Sequence, residues 1–375
     1  MKNWTLVKLK FGRSPAHFGE LGIGIEETSD RVRSDTLFSA WISAYARLFR
    51  GEAVTRLLAR FLDPSTPPAR MSSTFIYRQE AKGDIYYLPR PLKFPCNYPA
   101  GDGDLAFFKT YKKLNYLPLD VWQRWYQGEG FTESDRAELI AETGGKSEQS
   151  LRQAGTFDYK KAFEIDQVPK IAVDRVTRAT NLYHTGFVQF QAEQNGSDVK
   201  SLSGLYFLLH FPQVDKGLAN NLQAALHFLG EEGIGGERSS GAGRFELEWL
   251  EWSKLPETWQ KVMNFSESSA HHCLMSLFWD DEPSNLKQLI TEEASYEIQE
   301  RGGWITSSES GRQLRRKMVR MFAEGSVFSG KPKGKLVNVT PKEFITRNGQ
   351  YIPHPIYRNG ISLSLPIKVA VNPNS

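Results

Sequence analysis

The sequence predicts an α+β protein made of two ferredoxin-like units, with a glycine-rich loop and inserted segments. Strand-like and helix-like stretches form a strand–helix–strand order twice, near residues 4–88 and again near 182–250. No long alternation of strands and helices signals a doubly wound parallel sheet. Five glycines lie within residues 233–243, where a helix-like stretch passes into a strand-like one.

Taken in order, Trp4 to Phe11 alternates well enough for a strand. Gly12, Pro15, Gly19, Gly22 and Gly24 then make an irregular loop. A helix is expected from Ser34 to a stop at Gly51. The Ser34 hydroxyl can cap its first amides, and Asp35 suits the positive end of its dipole. Leu37, Phe38, Trp41, Ile42, Tyr45, Leu48 and Phe49 fall on one helical face. Phe75–Tyr77 and Ile85–Leu88 flank Lys82-Gly83-Asp84 as a hairpin. Residues 91–170, punctuated by Pro91, Pro95, Pro99 and Pro118, read as insertions, with an exposed loop at Thr143–Ser147. Leu182–Phe190 and Leu202–Phe211 are strand-like, with a turn signal at Asn195-Gly196. Leu218, Leu222, Ala225, Leu226 and Leu229 mark a helix, and Phe245–Leu250 a strand. Strands return at Cys273–Trp279, Met318–Phe322, Lys335–Val339 and Ile361–Val369. The expected division is an N-terminal unit with insertions, 1–170, and a C-terminal unit carrying the glycine loop, 171–375.

Composition narrows the class. The chain has 375 residues, 40% hydrophobic and 24% charged, a globular balance rather than a disordered one. The net charge of +4 is mildly basic and does not by itself identify a polyanion binder. Two cysteines, Cys96 and Cys273, exclude a disulfide framework and a paired Cys-x-x-Cys metal site. Residues 1–5 lead straight into alternation without an apolar leader, and no apolar run approaches the roughly 20 residues of a membrane span. The expectation is a cytoplasmic protein that needs no cofactor, no metal and no membrane.

The glycine segment reads Gly233-Ile234-Gly235-Gly236-Glu237-Arg238-Ser239-Ser240-Gly241-Ala242-Gly243-Arg244. So many glycines carry an entropic cost, so the backbone there must turn with positive φ or meet another backbone closely. Free amides, the hydroxyls of Ser239 and Ser240, and the guanidinia of Arg238 and Arg244 together suit phosphate. A nucleotide P-loop and a dinucleotide fingerprint both require the order strand, loop, helix. Here the order is helix, loop, strand, and the P-loop lysine is missing.

The glycine segment and several other stretches carry a resemblance. They are Ser14–Gly19, Ser34–Ala40, Tyr87–Pro91, Val168–Arg175, Gly302–Ile305, Glu324–Phe328 and His354–Gly360. In that order, over nearly the whole chain, the sequence resembles the CRISPR RAMP proteins, and among them the fourth subunit of the type III-A (Csm) effector. The resemblance implies two RRM-like (ferredoxin-like) RAMP domains and a non-catalytic role in antiviral defence. It implies that the chain holds the 5′ handle of the crRNA, docks on the large polymerase-like subunit and abuts an adjacent RAMP backbone subunit. It also implies a thumb hairpin at the boundary of handle and spacer, for which residues 91–135 or 140–170 are the candidates. Lys170 stands where the family would lead one to expect arginine.

On these grounds the expected RNA-binding residues are His17, Arg31, Arg33, Ser34, Lys170, Arg175, Arg178, Gly235, Gly236, Arg238, Ser239, Ser240, Gly241, Gly243 and Arg244. The alternatives are a metal-independent crRNA endonuclease using His17 as its acid or base, and the equivalent subunit of a type III-B complex. Against the nuclease, no partner for His17 is visible, and the glycine segment lies mid-chain rather than near the C-terminus. His271-His272-Cys273 reads as the start of a strand, because adjacent strand residues face opposite ways. Arg312, Arg315, Arg316, Lys317 and Arg320 make a basic run that suits a solvated face or a contact with RNA or an acidic partner.

Overall fold

The computed structural model describes residues 3–20, 24–63, 65–99, 105–143, 149–195, 198–267, 270–305, 314–341 and 354–370. Gly22, Gly196, Arg312 and the loop at 144–147 lie outside the described residues. In chain order the first half contains β1 (Trp4–Lys10), α1 (Ser34–Phe49), α2 (Gly51–Leu62), β2 (Arg70–Met71), β3 (Phe75–Glu80) and β4 (Gly83–Pro89). It continues with α3 (Leu105–Lys113), β5 (Tyr116–Pro118), α4 (Leu119–Gln127), α5 (Glu133–Thr143) and α6 (Ser150–Gln153). The middle has β6 (Phe163–Val173), β7 (Thr180–Phe190), β8 (Ala192–Asn195), β9 (Asp198–Ser201), β10 (Ser203–His210), α7 (Lys216–Glu232) and β11 (Glu246–Glu251). The last part has α8 (Glu257–Asn264), β12 (His271–Leu274), α9 (Pro283–Leu289), β13 (Ile298–Arg301), β14 (Val319–Phe322), β15 (Val327–Phe328), β16 (Leu336–Asn338), β17 (Tyr357–Asn359) and β18 (Ser364–Ile367).

The main sheet runs β11-β1-β10-β3-β4-β5, with β2 pairing β10, and its strand pairs are antiparallel. Taken along the chain, β1, α1, β3, β10, α7 and β11 follow the β-α-β-β-α-β path of a ferredoxin-like unit. Residues 83–201 are inserted into that path. The expected division at 170 falls inside β6, and the sheet joins strands from both sides of it. A three-stranded sheet, β15-β12-β18, forms the centre of the last part.

The main sheet is buried on both faces, which is why β1 is apolar at successive positions rather than strictly alternating. Val7 and Leu9 face α1 and α7, packing with Leu37, Trp41, Leu222 and Leu226. Leu6, Tyr206 and Leu208 face the other way, onto Trp122 and Trp125 of α4 and Trp259 of α8. The stretch expected to be irregular therefore contains the helices α3–α6, and α4 covers a face of the sheet. Removing a tryptophan from such a core costs about 3–5 kcal/mol.

The β6–β7 ribbon differs in character. It is a two-stranded hairpin paired from Phe163↔Phe190 to Val173↔Thr180. Its base is tied to the first loop by a bridge between Ala16 and Val188. Its distal half is exposed, with Ile171, Val173, Val176 and Leu182 all open to solvent. The isolated ribbon has two open edges, so Pro169 can sit within it.

Candidate nucleic-acid interface

The glycine segment begins where α7 ends. Gly233 stops the helix with φ +85°, its amide donating to Leu229 O at 2.8 Å. The next residues lie against the loop after β1. Gly236 N donates to His17 O at 2.9 Å, and Gly243 N to Pro15 O at 2.8 Å. A Cβ on Gly235 would lie 2.3 Å from His17 O, and one on Gly243 would lie 2.1 Å from Ile234 O. Gly235 and Gly243 have φ of +99° and +76°. These glycines are required by a close backbone approach and by positive φ, the two reasons anticipated from sequence.

The expectation of a cradle of free amides needs correcting. The amides of Gly233, Ile234, Gly236, Ser240, Gly241, Ala242 and Gly243 all donate to protein carbonyls. Ile234 and Ala242 are buried beneath the loop. Outward-facing groups are side chains: Arg238, Ser239, Ser240 and Arg244 are exposed, on and beside a turn of 3₁₀ helix at Arg238–Ser240. The glycines build a platform, and the charged and hydroxyl side chains stand on it. Arg244 also lines a groove of about 290 Å³ with Lys10, Arg13 and Ser14.

His17 is 9% exposed beneath this platform. Its Nδ1 donates to Gly186 O of β7 at 2.7 Å, and its ring lies against Gly236, where a Cβ would come within 2.7 Å of Cδ2. Lys170 of β6 ion-pairs with Glu237, the left-handed residue (φ +56°) that starts the 3₁₀ turn. The hydrogen bond from Lys170 holds the Glu237 carboxyl below its ordinary value, against the opposing effect of burial. His17 and Lys170 thus clamp the glycine platform to the ribbon. Arg175 and Arg178 lie at the ribbon's exposed tip, five or more residues beyond Lys170, on the order of 17 Å away.

Arg31, Arg33 and Ser34 are placed elsewhere, which corrects their expected role at the RNA surface. Ser34 is fully buried, and its hydroxyl accepts from Leu277 N at 3.0 Å instead of capping α1. Arg31, 6% exposed, pairs with Glu324 at 3.2 Å and donates to Tyr116 Oη at 2.7 Å. Arg33 reaches the same carboxylate at 2.5 Å and Glu20 at 3.0 Å. The adjoining Asp35, wholly buried, receives Arg301 through two bonds of 3.0 and 2.9 Å and also pairs with Arg358. Burial alone would raise the carboxyl of Asp35, but Arg301 and Arg358 outweigh it and hold it low. Glu324 follows the same pattern: burial raises it, and Arg31 and Arg33 pull it well down. Each of these carboxylates has its partners in segments distant along the chain, so no local signal announces the pairing.

In the basic run, Arg315 stacks over Trp304 at 4.8 Å and Arg320 pairs with Glu300 at 3.0 Å. Burial and the nearby Arg358 lower the pKa of Arg316 to about 10. His271–Leu274 is a strand, and no metal-holding group of His, Cys, Asp or Glu occurs among the described residues. No helix among them is long and apolar enough to cross a membrane.

Residues 267–367 match the family model described as the CRISPR Csm4 C-terminal domain. A Csm4 protein of Thermococcus onnurineus is 30% identical over 223 residues, 59% of this chain and 64% of that relative, so the chain spans under two thirds of its length. A Csm4 protein of Methanocaldococcus jannaschii is 26% identical over 385 residues, 94% of each. Among solved structures, the fold is similar to one of a Csm3–Csm4 subcomplex of the type III-A CRISPR–Cas interference complex (TM-score 0.59, 18% identity, 98% of this chain and 100% of that one). It is also similar to one of a Csm1–Csm4 cassette in complex with cA4 (TM-score 0.55, 19% identity, 99% and 100%).

Proposed function

We propose that the chain is a Csm4 protein, the non-catalytic, crRNA-binding assembly subunit of a type III-A interference complex, a reading supported by the family-model match and by the Csm4 relatives. It holds the 5′ handle of the guide RNA, docks on the large polymerase-like subunit and abuts an adjacent RAMP subunit. Solved relatives that pair Csm4 with Csm1 and with Csm3 support that pair of partners. In this reading the chain works in antiviral defence, in the cytoplasm.

The observation that carries the RNA reading is the platform: exposed Arg238, Ser239, Ser240 and Arg244 on a glycine backbone clamped beneath a projecting ribbon. Phosphate contacts fix register, and the basic rim supplies them. The ribbon 163–190 is the thumb. Its exposed Ile171, Val173, Val176 and Leu182 give apolar surface to set against bases, and Arg175 and Arg178 flank its tip. On this reading the thumb lies mostly beyond both segments considered from sequence. The sheet β15-β12-β18, with β12 central and antiparallel to both neighbours, is the core of a second, reduced RAMP domain. The non-catalytic reading is supported by His17, whose Nδ1 is committed to Gly186 and whose ring is packed under Gly236.

The test is co-purification of the full chain with its guide and partner subunits, for wild type and Arg238→Ala/Arg244→Ala. The double variant is expected to assemble but to bind handle RNA more weakly. Its salt dependence should be shallower by about 0.7 per lost phosphate contact. An unchanged slope refutes the phosphate contacts, and cleavage of repeat RNA that His17→Ala abolishes refutes the non-catalytic reading.

A further inference from the structure

The main sheet ends at β11, and that edge is open. β11 pairs with β1 alone. Among the described residues, no backbone hydrogen bond joins Glu246–Glu251 to anything on its other side. Alternate N–H and C=O groups of the strand therefore point outward without a protein partner. Along β11, Leu247, Trp249 and Glu251 face α7, while Glu246, Glu248 and Leu250 face the other way.

Between the end of β11 and the first turn of α7 lies a cleft of about 540 Å³, lined by Trp4, Phe211, Val214, Ala219, Trp249 and Trp252. The three tryptophans are only half-buried, and Val214 is 64% exposed. Of the charged residues that also line the cleft, Asp215 is committed to Leu218 N at 2.9 Å and to Arg60 at 3.0 Å. Lys216 and Glu251 are exposed. The interior thus suits an apolar side chain, with charge met outside it.

The strand's own charges choose the occupant. Glu248 is held by Lys10 at 2.6 Å, with Lys8 at 3.9 Å. Glu246 and Glu251 are exposed and make no ion pair among the described residues. A second copy of β11, paired antiparallel end to end, would set Glu246 opposite Glu251 twice, and like charges directly opposite repel. Acidic residues on an edge strand do guard it against chance pairing. Guarding does not account for an open tryptophan cleft at the end of the same strand. Strand addition does, because backbone bonds supply affinity there and side-chain pockets supply specificity.

We propose that β11 accepts a further antiparallel strand from a partner protein, an extended segment reading basic, any, large apolar, any, any, basic. The apolar side chain, opposite Trp249, faces α7 and enters the cleft. The first basic residue meets Glu251 and the last meets Glu246. The inference does not rest on the RNA reading.

The test uses the full chain and a fluorescent peptide, Thr-Lys-Thr-Phe-Thr-Thr-Lys-Thr, with binding read by anisotropy. Three altered peptides accompany it: one with serine for phenylalanine, one with glutamate for both lysines, and one N-methylated at alternate amides. The parent peptide should bind, and each alteration should weaken it about tenfold or more. The Glu246→Lys/Glu251→Lys chain should reverse the preference between the lysine and glutamate peptides. Ala219→Trp, which fills the cleft, should weaken the parent peptide and leave the serine peptide unchanged. Should that variant fail to fold, the peptide series on the wild-type chain decides alone. Equal binding of the N-methylated peptide, or no binding of the parent by about 1 mM, would overturn the proposal. So would displacement of the peptide by single-stranded RNA, which would make the cleft a base site. A wild-type dimer in sedimentation that the peptide splits would also overturn it, because the occupant would then be a second copy.

Discussion

Replacing Asp35 by asparagine keeps the shape of the first turn of α1 and removes one charge from its most buried carboxylate. That carboxylate is 0% exposed and receives Arg301 through two bonds and Arg358 through a third. Without it, Arg301 retains Glu20, and Arg358 retains the Gly302 carbonyl. Removing one partner of a buried ion pair costs about 3–5 kcal/mol, because the remaining charge is stranded. With an unfolding entropy of about 2.1 cal/mol/K per residue, the 375-residue chain should lose about 4–6 °C in melting temperature if it unfolds as one unit. The pH dependence gives a second measure. The folded pKa of Asp35 is depressed, so its contribution to stability is present above the ordinary carboxylate range and is lost as pH falls toward the folded value. Asp35→Asn should therefore lower stability at pH 7 and flatten its fall between about pH 5 and pH 2. Urea unfolding of the full chain at a series of pH values reads both effects. A variant within about 1 kcal/mol of wild type at pH 7, with the same acid limb, would refute the buried ion cluster as drawn.

Two further outcomes follow from packing. Gly235→Ala should cost about 3 kcal/mol or more, from a Cβ 2.3 Å from His17 O together with a positive φ, whereas Gly241→Ala, with open space around it, should cost only about 1 kcal/mol for its positive φ; equal melting temperatures would remove the platform argument. Cys273 is fully buried and burial pushes its thiol up, while Cys96 is half-buried, so a thiol reagent should titrate Cys96 in the native protein and Cys273 only after unfolding; simultaneous modification would contradict the placement of β12.

The elements legible in the sequence are those whose periodicity belongs to one burial geometry. The helix marked by Leu37, Trp41 and Tyr45 and that marked by Leu218, Leu222 and Leu229 are α1 and α7, and the strands before and after them are β1 and β11. The helices α3–α6 were hidden by prolines and aromatics of middling helix propensity. Val121, Trp122, Trp125 and Tyr126 carry the i, i+3, i+4 signal on a helix too short to stand without the sheet beneath it. The ribbon was hidden because its exposed apolar residues look like core. At the site, the glycines' backbone role was legible, but the satisfaction of their amides was not, because it depends on Pro15 and His17 over 200 residues away. Ser34 has the composition of a helix cap, and only tertiary structure brings Leu277 N to its hydroxyl.

Four of the segments that carried the family resemblance converge on one place. Asp35, Gly302, Glu324 and Arg358 come from four separate stretches, and all contribute to the cluster that includes Arg31, Arg33 and Arg301. Such a cluster adds little net stability over a well-packed apolar alternative, because desolvating the charges offsets their attraction. Its effect is to make one arrangement far better than its neighbours. A displacement of the last part of the chain by even a few ångströms would leave Asp35 and Glu324 without their guanidinia, at the full cost of buried, unpaired charge. These stretches therefore hold the main sheet in one orientation against the strands β12–β18. The RNA-facing work falls to Arg238, Arg244 and the ribbon tip, which the rigid frame positions but does not itself supply.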